Sequence, residues 1–358
     1  MNKRPSPLNT AAARPSRAAA AAGVLRRTVL LALLACVVAS FGLTAGTRAE
    51  ADRPRTFSEQ ALNEAFATAR VLAADATGLA VPAPAAAEMK LQAQTLTEQA
   101  LLLSGPGGTA RQAGAPADAG SSGESPVTYV QALQAAARTN LEAAGRADYG
   151  TARLLASVGA GQLLLAQRAA DVLGENSEPL QESGWTPVLE ESAARCTNSD
   201  AASDRTQLRD RPGAAESLRA VLDAEFGAVY AYEVAQAQGG RSIAVLGQTA
   251  AEHRAAHLKA GEDGVRHLSS LCLPAVSPLP AYSLTADFFA DPAGSLSAME
   301  AALPGIYADL AGSSDGALRS WAIDRLVQTS LAAYSDSRLP PASPGITADP
   351  ASLPWAAG

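Results

Sequence analysis

The chain has 358 residues, of which 47% are apolar and only 4% aromatic, and its formal net charge is −7. The first fifty residues hold seven basic residues and one acidic one, so the remainder carries 21 positive against 34 negative charges, a net of −13. A surface of that sign repels nucleic acid and anionic lipid, which removes nucleic-acid binding from the candidate functions. Alanine-rich faces favour closely packed helices, and no window alternates β-branched with polar residues, so the expected fold class is all-α.

Residues 1–50 read as a membrane-targeting segment, a signal peptide or an anchor. Lys3, Arg4, Arg14, Arg17, Arg26 and Arg27 precede the apolar run TVLLALLACVVASFGLTAG, whose length is close to the ~20 residues of a spanning helix. Small residues at Ala49 and Ala51 suit cleavage, Arg26-Arg27 partly matches a twin-arginine signal or is plain positive-inside charge, and Leu33-Leu34-Ala35-Cys36 resembles a lipobox. All these alternatives predict an extracytoplasmic protein, secreted or associated with the membrane through this segment. Outside the segment the cysteines are Cys196 and Cys272. In an exported chain they are either an expected disulfide or two buried thiols.

A helical N-terminal region is expected over 51–173. Thr56-Phe57-Ser58-Glu59 is a capping box, and Leu62, Phe66, Ala69, Leu72 and Ala76 follow at helical spacing until Gly78 and the Pro82/Pro84 pair. Further helices are expected over 85–103, 128–144 and 147–173, with a Gly/Ser/Pro-rich flexible linker over 104–126. This region shows no histidine and no inward carboxylate cluster, so it reads as a structural or interaction bundle. A polar connection over 174–213, holding Trp185, Pro187 and Cys196, marks the boundary between the halves.

The second half, 214–336, reads as four helices over 214–238, 242–271, 295–311 and 315–334, followed by a disordered tail over 337–358. Leu218, Leu222, Val229 and Tyr232 form an apolar stripe on the first of these, and Glu225 falls within it. On the second, Ile243, Leu246, Ala250, Leu268 and Leu271 share a face with His253 and His257, one turn apart. Leu296, Leu303, Tyr307 and Leu310 enclose Glu300 on the third. Two carboxylates and two imidazoles therefore aim at one interior. Glu252 sits at the edge of the stripe, Asp324 turns away from it, and His267 reads as an end-of-bundle residue. The rings of Tyr230, Tyr232 and Tyr307 read as core.

These motifs, together with the PLPAYSL link, SLSAMEAALPGIYADL and the Trp321-containing last helix, resemble the ferritin-like proteins over residues 217–335. The closer resemblance is to exported actinobacterial proteins catalogued as a ferritin-like domain of unknown function, the DUF 4439 type. It implies a C-terminal ferritin-like four-helix bundle and brings no activity. Carried onto this chain, the ferritin-like di-iron pattern makes Glu225 and Glu300 the single-Glu ligands. The second helix departs from it by offering His253 and His257 in place of Glu-x-x-His, and the fourth has no inward ligand, so a complete di-iron site is not expected.

Two readings of the interior stay open on the sequence. Glu225, His253, His257 and Glu300 could hold one divalent metal such as iron, manganese or zinc. Alternatively, the same four residues pair with one another as a metal-free polar core. No phosphate loop, Gly-x-Ser-x-Gly elbow or Cys-x-x-Cys is present, and the function expected is a non-enzymatic binding or structural module of the cell envelope, with a metal-binding or redox protein as the alternative.

Overall fold

The computed structural model describes residues 54–105, 125–175, 213–239, 243–337 and 340–346. The targeting segment, Cys36, most of the 104–126 linker and Cys196 lie outside them. Among the described residues no helix is long and apolar enough to cross a membrane.

Four long helices come first: α1 (Phe57–Gly78), α2 (Ala83–Ser104), α3 (Pro126–Arg146) and α4 (Tyr149–Leu173). Side chains set their starts. Thr56 caps α1 in a reciprocal box with Glu59, Ser125 caps α3 with Thr128, and Asp148 caps α4, each satisfying amide donors that lack a partner at a helix N-terminus. In α4 every residue from Leu155 to Ala166 is buried. A helix that is buried all round lies at the centre of a molecule. Accordingly α4 packs on α3 and α2 from the first half and on α8 and α9 from the second.

The second half comprises α5 (Ala214–Gly239), strands β1 (Ala244–Val245) and β2 (Gln248–Thr249), α6 (Ala250–Arg266), the short α7 (Ala286–Ala290), α8 (Pro292–Ser313) and α9 (Gly316–Tyr334). The described residues from Thr56 onward form one compact unit. The largest hydrophobic cluster draws on both halves, joining Leu103 and Leu155 to Leu218, Leu222, Leu310 and Leu326. A second cluster around Met89, Tyr129 and Leu133 belongs to the first half, and a third around Tyr232, Val245, Phe288 and Leu296 lies beside the hairpin.

Besides the short α7, which falls in a stretch expected to be a link, the sequence reading and the structure differ most in two places. The expected helix over 242–271 is shorter. Its first turns are an antiparallel hairpin pairing Ala244 with Thr249 and Val245 with Gln248, closed by Leu246 and Gly247 at φ of 49° and 77°. Two positive φ values in succession suit a two-residue hairpin turn. Ile243, Leu246 and Ala250 mimic a helical stripe, but Thr249 and Glu252 form a capping box that fixes the true start of α6. The second difference is the tail. Residues 340–346, expected to be disordered, form a strap along α4, with Ala342 and Ser343 buried.

Arg168 Nη1 donates to Ser337 O, just after α9, at 2.5 Å. Two side chains tie the strap itself down: Gln99 Nε2 donates to the Ala342 carbonyl at 2.7 Å and Arg153 Nη2 to Gly345 O at 3.2 Å. These bonds use the strap's backbone as acceptor, so its own side chains carry no periodic signal. The close approach needs Gly161, where an added Cβ would lie 2.4 Å from Ala342 O.

Candidate metal centre in the C-terminal bundle

Helix α5 presents Glu225 and Tyr232, seven residues apart and so two turns along one face. Helix α8 presents Glu300 and Tyr307 at the same spacing. The two pairs cross: the Tyr232 hydroxyl donates to Glu300 Oε1 at 2.6 Å, and the Tyr307 hydroxyl donates to Glu225 Oε1. Pairing 232 with 300 and 225 with 307 means that these helices run antiparallel.

His257 on α6 bridges the pairs. Its Nδ1 is 2.7 Å from Glu225 Oε2 and its Nε2 is 2.8 Å from Glu300 Oε1. One turn earlier, His253 Nδ1 is 3.1 Å from the same Glu300 oxygen, while its Nε2 donates to the Val245 carbonyl of the hairpin at 2.9 Å. A carbonyl can only accept, which fixes the proton on that nitrogen. The Tyr232 ring stacks on both imidazoles, 5.1 Å from His253 and 5.5 Å from His257. α6 reaches this depth because residue 261 is glycine; a Cβ there would meet the Phe226 ring of α5 at 2.6 Å.

All four residues are buried, with Glu225 at 0%, His257 at 3%, Glu300 at 4% and His253 at 5% exposure. Burial works against a protonated His257, but the hydrogen bonds and charges of Glu225 and Glu300 outweigh it and raise its pKa to about 9. Burial also opposes charge on His253, and the bonds to Glu300 and Val245 overcome it, so its pKa is raised. For Glu300 burial favours the neutral acid, yet the donors His253, His257 and Tyr232 hold its pKa far below the usual carboxylate range. Burial raises both tyrosine hydroxyls, helped by the carboxylate each one faces, so both remain donors.

An ionised carboxylate can only accept hydrogen bonds. The imidazole nitrogens facing Glu300 therefore either carry protons or turn lone pairs toward a cation. His253, His257 and Glu300 offer ligand atoms that all lie within 4.8 Å of one another. The far nitrogen of each imidazole is already committed to an oxygen, Val245 O for His253 and Glu225 for His257, which is how metal-ligating histidines are oriented by their surroundings. The donor set fits one ion. It does not fit the two of a ferritin-like di-iron centre, because α9 brings Arg325, whose Nη2 lies 3.5 Å from Glu225 Oε1. A permanent positive charge there opposes a second cation.

Of the four expected ligands, the structure gathers His253, His257 and Glu300 and sets Glu225 behind His257. Glu252 is an exposed capping residue, Asp324 is exposed, and His267 caps the C-terminus of α6 against the Trp321 ring, 5.1 Å away. Cys272 is disulfide-bonded, and Cys196, its expected partner, lies outside the described residues. Sequence reasoning missed Tyr232, Tyr307, Arg325 and the Val245 carbonyl. The twice-repeated Glu-x6-Tyr spacing was the available signal for the tyrosines. A cavity of about 460 Å³ lies elsewhere, between α1 and α3.

No curated protein and no solved structure matches the chain. Residues 217–348 match the family model described as Domain of unknown function (DUF4439). The match spans α6, α8, α9, nearly all of α5, and also the strap, so the chain carries a DUF4439 domain at residues 217–348 that contains the whole candidate centre.

Proposed function

We propose that this chain is an exported protein of the cell envelope whose ferritin-like bundle is a non-enzymatic binding module for one divalent transition metal. His253, His257 and Glu300 are the ligands. The observation that carries this reading is the convergence of two imidazole nitrogens and one carboxylate oxygen within 4.8 Å, all buried, from two different helices. Two nitrogens and an oxygen suit zinc, iron or manganese better than calcium or magnesium, which prefer oxygen-only sets. A bound ion would supply the positive charge that two protons supply without it. Burial of the ligands favours holding an ion over turning over a substrate. Export is supported by the basic flank and apolar run at the N-terminus, and by the disulfide at Cys272, since such bonds persist in oxidising compartments.

Reconstituting the full chain with iron, manganese or zinc tests the metal reading. One equivalent should bind, raise Tm, and fail to bind to His253→Ala. Substoichiometric uptake of all three metals, with His253→Ala destabilising whether or not metal is supplied, leaves the metal-free polar core as the explanation. For location, protease added outside intact cells should digest the region 217–348; full protection would sink the export reading.

A further inference from the structure

The two Glu–Tyr pairs around His257 are alike in spacing and unlike in charge. Glu300 faces His253 and His257, at 3.1 and 2.8 Å, and Tyr232. All the positive charge it meets there is on imidazoles. Glu225 faces His257 Nδ1 through one oxygen, and the Tyr307 hydroxyl and Arg325 through the other. Arg325 is anchored in turn, with its Nε donating to the Tyr307 hydroxyl at 3.3 Å and its guanidinium carbon 5.4 Å from the Tyr307 ring centroid. Glu225 therefore has a permanent countercharge, and Glu300 does not.

We infer that Glu225 is a positioning residue for the metal ligand His257 rather than a ligand itself. This rests on the metal reading above and assigns a division of labour within that site. By accepting a hydrogen bond from Nδ1, Glu225 fixes the tautomer of His257 whose Nε2 lone pair points toward His253 Nδ1 and Glu300 Oε1. Tyr307 and Arg325 hold Glu225 in place for that task. The Val245 carbonyl does the same for His253 from the opposite side, accepting from Nε2 so that Nδ1 is the nitrogen left facing Glu300. One imidazole is thus set by a side chain of α5 and the other by the backbone of the hairpin. Only the first of these supports can be removed by substitution without altering the backbone.

Cobalt(II) is the probe, because its visible absorption reports the donor set directly. In the full chain, Glu225→Gln and Glu225→Ala should weaken cobalt affinity about 10- to 100-fold, with alanine the more severe. At saturating cobalt both should keep one equivalent and the wild-type absorption bands. Tyr307→Phe, which removes only one hydrogen bond to Glu225, should weaken binding less. Leu72→Ala, in the separate hydrophobic cluster of the first half, destabilises the protein without touching this chain of contacts and should leave cobalt affinity unchanged. Altered bands at saturation in the Glu225 variants would make Glu225 a ligand and overturn the proposal. Unchanged affinity would make it a bystander and overturn it equally. If wild-type protein binds no cobalt, zinc, iron or manganese, it is the metal reading that fails.

Discussion

The molecule carries an ionic network in each half, part-buried in the first and fully buried in the second, and they are built on different principles. In the first half Glu88 meets Arg168 in a two-point bond, Oε1 to Nε at 2.9 Å and Oε2 to Nη2 at 2.7 Å. Gln92 extends the pair, donating to Glu88 and to Leu165 O and accepting from the Tyr129 hydroxyl. One carboxylate is matched there by one guanidinium, whose charge is permanent. In the second half Arg325 sits beside Glu225 alone, and the two carboxylates are joined by imidazoles, whose charge depends on pH. The first network, built on a guanidinium whose charge is permanent, is suited to holding helices together. The second is more deeply buried, and under the metal reading proposed above it exchanges its imidazole protons for another cation.

The comparison is open to attack first through His257. In metal-free protein at pH 6, His257→Ala should cost about 3 to 5 kcal/mol, because it removes the charged bridge between two buried carboxylates. Urea denaturation measures it. The folded-state pKa of about 9 lies above the ordinary 6.5, so the charged ring's stabilisation is complete below about 6.5 and is lost as pH rises through about 9. Wild-type stability should therefore fall across that window and the variant's deficit should shrink. A pH-independent deficit would mean that His257 is not the charged bridge.

A smaller effect is expected at the other network. Glu88→Gln keeps the shape and removes the charge, at a cost of about 1 to 3 kcal/mol. Between pH 6 and 9 that cost should stay constant, and added metal should not change it. A cost that varied with pH or metal would show the two networks to be coupled and remove the distinction drawn here.

Much of the site was legible because helical periodicity is a rule about faces. Glu225, His253, His257 and Glu300 each interrupt an apolar stripe, and a stripe tells which way a side chain points. Periodicity does not tell which atoms meet. It could not reveal that His257 would stand between Glu225 and Glu300, nor that Arg325, beside outward Asp324, would reach back to Glu225. The Val245 carbonyl was invisible for a deeper reason, since a backbone acceptor has no residue type to read. The hairpin that carries it was hidden by apolar residues at helical intervals, although Thr249 and Glu252 spell the capping box that starts α6. The first half was read as holding no inward carboxylate cluster, and Glu88 is a single part-buried carboxylate with its own guanidinium, a pair that leaves no unbalanced charge to notice.

The strap over 340–346 bears on the order in which the chain is made. Gln99 and Ala342 are 243 positions apart, and synthesis runs from the N-terminus. Helices α1 to α4 are complete while most of the DUF4439 domain is still to be translated. The groove beside Gly161 therefore stays open until residues 340–346 are released, and a chain cut short before Pro340 never closes it. Whatever shields the nascent helices has to let go of that groove late, and an open groove beside Gly161 marks an unfinished molecule.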